Sequence, residues 1–243
     1  MANLSHSMLQ NGLATLLTLA LAIAWLRLID RLTHQGRIAP KLSRKIIHIT
    51  TGPLFVLCWP LFSESAIARF WAALVPLVIT LQFVAVGTGL IEDPSAVQAM
   101  TRTGQPAEIL KGPLYYGLVF VLCTVLFWRT SPVGMLALMI LCGGDGLAEI
   151  VGRRWGKHKL PGSPNKSWAG SLAMFSGSWA LGYSFLLGFN ALGYFQPPLE
   201  AVPLALTVAA IALVATLVEA LPLTDIDNLT LTAVAIAMGL WLF

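Results

Sequence analysis

Eight apolar stretches, near residues 11–29, 46–62, 66–90, 112–129, 131–150, 168–190, 202–221 and 229–243, run through this chain with short polar breaks between them. Most approach the roughly 20 residues a helix needs to cross a bilayer. The 243 residues are 57% hydrophobic and 11% charged, with mean hydropathy +0.78, more apolar surface than a water-soluble core of ordinary composition encloses. Segments of alternating polarity do not recur, and in lipid every backbone polar group must be satisfied within the fold, which leaves helices rather than a barrel. The sequence therefore predicts an all-α, polytopic transmembrane helical bundle of about 7–8 spans. No linker or repeat interrupts it, so residues 1–243 read as a single integral-membrane domain. The first cation, Arg27, lies behind the first apolar stretch, which predicts a retained span and not a cleaved signal.

Lysine and arginine accumulate in cytoplasmic loops. Here Arg27, Arg31, Arg37, Lys41, Arg44 and Lys45 follow the first stretch, Arg102 and Lys111 the third, and Arg153, Arg154, Lys157, Lys159 and Lys166 the fifth; Arg69 and Arg129 fall opposite. The pattern predicts that the loops near 30–46, 90–112, 151–168 and 222–228 face the cytoplasm or its organellar equivalent. The chain carries 15 basic and 11 acidic residues, yet no aromatics are interleaved with the cations, so nucleic acid is not the expected partner. Membrane lipids, through anionic headgroups, and a nucleotide are. Cys58, Cys123 and Cys142 lie inside apolar stretches without metal-ligand spacing and read as small buried hydrophobes. The turn-rich segment from Pro94 to Pro113 is long enough for a lid or surface helix.

Asp145 and Glu149 are the acids that demand a reason. An ionised group at a helix centre in lipid costs roughly 2.5–3.5 kcal/mol on insertion scales, so both are expected to face protein, water or an ion. If residues 131–152 continue as one helix, Asp145, Glu149, Gly152 and Gly156 share a face. Carboxylates one turn apart suit Mg²⁺, commonly held by one or two acids together with substrate phosphates. Gly143, Gly144 and Gly146 allow the close backbone approach that phosphates require. The competing reading is helix-packing glycines with a charge pair between Glu149 and Arg153.

Beyond that helix, Lys157, His158, Lys159, Asn165, Lys166 and Ser167 form a basic loop without an acid, its path set by Pro161, Gly162 and Pro164. Such a loop suits a polyphosphate; topogenic charge is the alternative. No P-loop is present, because Gly152 to His158 has one intervening residue too few and lacks the terminal Ser or Thr. Glu219, Asp225, Asp227 and Asn228 make a second polar constellation, suited to a metal or to accepting a proton, or else to a turn in which Asp227 or Asn228 caps the last helix. Arg44, Lys45, His48 and Gly52 open the second stretch, where His48 is placed to bind phosphate or transfer a proton.

Four blocks carry a family likeness: Arg44-Lys45-Ile-Ile-His48 with Gly52; Gly144-Asp145-Gly146-Leu-Ala-Glu149-Ile-Val-Gly152-Arg153-Arg154-Trp-Gly156; Asn165-Lys166-Ser167-Trp-Ala-Gly170-Ser171; and Val218-Glu219-Ala-Leu-Pro222 followed by Asp227-Asn228. Together they resemble the phytol kinase branch of the CTP-dependent polyprenol kinases, kin to dolichol kinases and more distantly to phosphatidate cytidylyltransferases. The resemblance implies transfer of the γ-phosphoryl group of CTP to an isoprenoid alcohol from the bilayer, most directly phytol, as in salvage towards tocopherol-type lipids. It implies a site in which Asp145, Lys166, Asp227 and His48 carry the chemistry and Asp145, Glu149, Asp227 and Asn228 hold Mg²⁺. Arg44, Lys45, Gly144, Gly146, Gly152, Arg153, Gly156, Lys157, Asn165, Lys166, Ser167 and Gly170 would bind the nucleotide. Dolichol kinases have an acid where Ala169 stands, which turns the reading towards shorter alcohols: phytol, geranylgeraniol or farnesol. Two other classes stay open, a nucleotidyltransferase attacking the α-phosphorus and a membrane transporter. Gly177, Gly182 and Gly188 permit close helix contacts, including those of a homo-oligomer.

Overall fold

A computed structural model describes residues 2–101, 103–221 and 226–243, without the side chains of 2–4 and 40. Arg102, Pro222 and Asp225 lie outside the described residues. Every apolar stretch is helical. The helices are α1 (Ala2–His34), α2 (Pro40–Leu57), α3 (Ala68–Gly87), α4 (Pro94–Met100), α5 (Gly112–Leu126), α6 (Pro132–Met139), α7 (Gly146–Trp155), α8 (Trp168–Ala191), α9 (Ala201–Glu219) and α10 (Asp227–Leu242). A π-helical segment, Ile140–Asp145, joins α6 to α7.

Among the described residues six helices are long and apolar enough to cross a membrane, fewer than the seven to eight spans expected. The shortfall has two causes. α2 spends its first half on Lys41, Arg44 and Lys45, and α10 has only 16 residues. Leucines on the long helices, among them Leu13, Leu16, Leu81, Leu172, Leu206 and Leu217, are exposed, as helices solvated by lipid require.

The chain divides into two compact units. One comprises the chain up to Ile47 and Thr51–Val125; the other His48–Thr50 and Leu126–Phe243. In the first, α1 packs on α3, where Thr15 Oγ1 donates to Trp71 O at 3.0 Å, and buried Asn11 accepts from Ser63 N at 2.9 Å. Of the segment from Pro94 to Pro113, expected as a lid or surface helix, the first part is α4, with no buried residue and capped by Asp93, whose Oδ1 accepts from Ala96 N at 2.9 Å, while the short 3-10 helix Pro106–Leu110 buries Ile109 and packs on α3.

The second unit is built around α6 and the π segment. Every residue from Val133 to Gly146 is buried, because the run is apolar or glycine on all sides until Asp145, and such a helix belongs inside a bundle. α8 and α10 pack on α6; α8, α9 and α10 all reach the π segment; α7 lies on α8. Between α7 and α8 the basic loop is not irregular. It forms an antiparallel hairpin of β1 (Lys159–Leu160) and β2 (Ser163–Ser167), pairing Lys159 with Ser167 and Leu160 with Ser163 across a turn in which Gly162 has φ +78°. Cys58, Cys123 and Cys142 are buried free thiols.

Candidate active site

All the side chains that follow belong to the second unit. Its starting point is the π segment, whose glycines let α8 approach backbone to backbone: a Cβ on Gly177 would fall 2.6 Å from Gly143 O, and one on Gly144 would fall 2.7 Å from Met174 Sδ. A π-bulge departs from the regular hydrogen-bond ladder, and bulges of this kind recur at functional sites. Here the Leu141 carbonyl faces His48. His48 Nε2 lies 3.2 Å from Leu141 O and 3.2 Å from Asp145 Oδ2. A carbonyl and an ionised carboxylate can only accept, so Nε2 carries the proton, and the lone pair of the neutral ring is on Nδ1.

Glu149, one turn on, has a different partner. Arg153 Nη2 stands 2.7 Å from Glu149 Oε1, so the charge pair weighed against a metal role is formed. The shared face of Asp145 and Glu149 persists, but one acid meets an imidazole and the other a guanidinium.

The glycines expected to cradle phosphates are filled by protein. Gly146 abuts Ile49 and the His48 ring. A Cβ on Gly170 would fall 3.2 Å from Ala148 O, and one on Gly152 3.3 Å from Ser167 Oγ, which also crowds Gly156. Their lack of side chains serves the crossing of α7 and α8. Ser167 has a second task as N-cap of α8, its Oγ accepting from Gly170 N at 3.2 Å. Ser167→Ala should therefore destabilise the folded protein by about 1 kcal/mol, the usual cost of losing a helix cap, read as a lower thermal midpoint in detergent.

The hairpin delivers Lys166 to α9. Its ammonium pairs with Glu219, whose side chain is only 6% exposed against 27% for the lysine, and Ser163 Oγ donates to Ala220 O at 2.7 Å. Asn165 and Lys157 are exposed on the same connection. Across the site α10 begins at Asp227, whose Oδ1 accepts from Asn228 N at 3.0 Å, while Asn228 is buried. Neither residue caps α10: the capping position is Ile226 and Asp227 is the first helical residue. Asp145 and Asp227 both lie close enough for their charges to act on Glu219. The contacts formed here are thus Lys166 of β2 with Glu219 of α9 and Asp145 of the π segment with His48, with Asp145 and Asp227 near enough for their charges to be felt at Glu219. Glu219 was visible in the sequence only as one acid of a constellation, and the Leu141 carbonyl, being backbone, left no signal. Arg44 and Lys45 belong to the first unit.

Among the described residues no group of three or more His, Cys, Asp or Glu side chains is arranged to hold a metal unaided. The donors present are hard carboxylate oxygens with no thiol among them, which fits Mg²⁺ completed by phosphate oxygens and water.

The chain is 41% identical over 239 residues to a probable chloroplastic phytol kinase of Zea mays, covering 98% of this chain and 78% of the relative. To the chloroplastic phytol kinase 1 of Arabidopsis thaliana it is 42% identical over 221 residues, 91% of this chain and 72% of the relative. It belongs to the phytol kinase family. A probable chloroplastic phytol kinase 1 of Oryza sativa subsp. japonica is likewise 42% identical, over 245 residues. No family model matches the chain, and no solved structure does. The phytol kinase family is the one indicated by the four sequence blocks; the described parts of the last three meet in the second unit, together with His48 of the first block. Membership makes the chain a kinase with an alcohol acceptor and sets aside the transporter.

Proposed function

We propose that this protein transfers the γ-phosphoryl group of CTP to the hydroxyl of phytol, giving phytyl phosphate and CDP, with residues 1–243 acting as one membrane domain. The Lys166–Glu219 pair and the His48–Asp145 contact at the end of an apolar bundle, in a chain of the phytol kinase family, carry the reading. Phosphoryl transfer asks little covalent chemistry of a protein; it needs positioning and charge neutralisation around the moving group.

Asp145, Asp227 with its chain neighbour Asn228, and Glu149, shared with Arg153, are the residues that would hold Mg²⁺. When bound, the ion offsets phosphate charge. Lys166, Lys157 and Arg153 neutralise the phosphates, and Asn165 and the start of α8 supply neutral donors. The alcohol enters sideways from the bilayer with its chain in lipid. Its oxygen attacks the γ-phosphorus as the bond to the β-phosphate oxygen breaks, and its proton goes to Asp227 or His48. The basic loops support a rim on the cytoplasmic side or its organellar counterpart.

Purified protein in detergent, given phytol and CTP labelled at either the γ- or the α-phosphorus, tests the assignment. Label from the γ-position alone should enter the lipid. Label from the α-position would make the enzyme a nucleotidyltransferase, and transfer from ATP or UTP in preference to CTP would change the donor. Geranylgeraniol, farnesol and dolichol offered in parallel rank the acceptors.

A further inference from the structure

We infer that Glu219 is a positioning residue for Lys166: the buried carboxylate binds one edge of the ammonium and so fixes where its remaining donors point as the phosphates arrive. The inference rests on the reading of Lys166 as a phosphate ligand.

Three observations lead to it. Glu219 is the last residue of α9, at the end of an apolar span, with its side chain almost wholly enclosed. A carboxylate there costs free energy unless a cation meets it, and Lys166 is the cation that does. Second, a lysine on a two-stranded hairpin has four rotatable bonds and about 2 kcal/mol of rotamer entropy to lose. The hairpin is tied to α9 at adjacent residues, through Ser163 to the Ala220 carbonyl at 2.7 Å and through Lys166 to Glu219, so both the strand and its lysine are held before any ligand binds. Third, an ammonium has three donors, and one carboxylate oxygen engages one of them.

The pair therefore acts before catalysis, on nucleotide binding, and not on the alcohol. The test uses the full chain in detergent as wild type, Glu219→Gln, Lys166→Gln and the double variant. Binding of a fluorescent trinitrophenyl analogue of CTP is measured alongside KM for CTP and for phytol, with thermal unfolding to establish that each variant folds. Glu219→Gln should weaken analogue binding and raise the KM for CTP by about 10–100-fold, the range that a misplacement of about 1 Å produces, with the KM for phytol unchanged. The double variant should bind no more weakly than Lys166→Gln, because the two residues act as a unit. Should Glu219→Gln fail to fold, Glu219→Asp, which keeps the charge and withdraws it by one methylene, should raise the KM for CTP several-fold and leave that for phytol alone. Wild-type analogue binding by Glu219→Gln when Lys166→Gln has lost it, or losses that add in the double variant, would overturn the positioning role and leave Lys166 as phosphate ligand. Wild-type binding by Lys166→Gln would instead remove the phosphate role itself, and the inference with it.

Discussion

Replacing Asp145 by Asn is expected to lower kcat/KM for CTP by about 10²–10³-fold, the loss that follows removal of one preorganised charge-stabilising group. The substitution separates charge from shape. An asparagine oxygen still accepts from His48 Nε2, now 3.2 Å from Asp145 Oδ2, so the imidazole keeps its orientation while the negative charge that would hold Mg²⁺ is gone. Thermal stability should not fall with activity. The contact with His48 is kept as a hydrogen bond, so little stability should go with the charge. A variant that folds normally and phosphorylates phytol at the wild-type rate would remove Asp145 from the mechanism. A variant that loses activity only because it unfolds would make its role structural.

A second substitution should break the scaffold. Gly177→Ala places a Cβ 2.6 Å from the Gly143 carbonyl oxygen and 2.8 Å from Leu147 Cδ1. The leucine tip has rotamers to use, but the carbonyl is backbone of the π segment, so α8 must move away from it. Overpacking of this kind costs about 1–3 kcal/mol, and the same displacement disturbs the segment that presents Leu141 O and Asp145 to His48. Both the thermal midpoint in detergent and the phytol phosphorylation rate should drop. Gly188→Ala on the same helix is the control, since nothing lies within 4 Å of its Cβ. Relative to glycine, alanine favours a helix by up to about 1 kcal/mol, so that variant should be as stable as wild type or more so. Equal behaviour of the two variants would show that the α8 contact with the π segment contributes little. Three of the four α8 glycines thus differ: Gly177 and Gly182 are occupied within the chain, by Gly143 and by Leu136, while Gly188 has open space around it.

The pairs at the site show where sequence reasoning stops. Glu149 and Arg153 stand four apart on one helix, and that pair was foreseeable because helical spacing alone brings the side chains together. Lys166 and Glu219 are 53 residues apart, with all of α8 and α9 between them, and no local rule connects them. The hairpin was hidden for another reason. Between Lys157 and Ser167 only Leu160 and Trp168 at its edge are large and apolar, so no alternation marks a strand, and β1 and β2 exist through their mutual pairing and the left-handed Gly162 turn. The glycines of the nucleotide reading lie at places of close approach within the protein. What approaches them is α8, the Ser167 hydroxyl and the residues beside His48.

Helical bundle, membrane setting, family and the short list of acids and bases came from the sequence by itself, because apolar length, insertion cost and motif spacing are properties of contiguous residues. Only the tertiary structure decided that Asp145 faces His48, that Glu219 faces Lys166, and that the charge of Asp227 is felt at Glu219. The physical reason is that charges interact through space, with an energy set by separation and surrounding dielectric, and neither quantity is written in the distance along the chain.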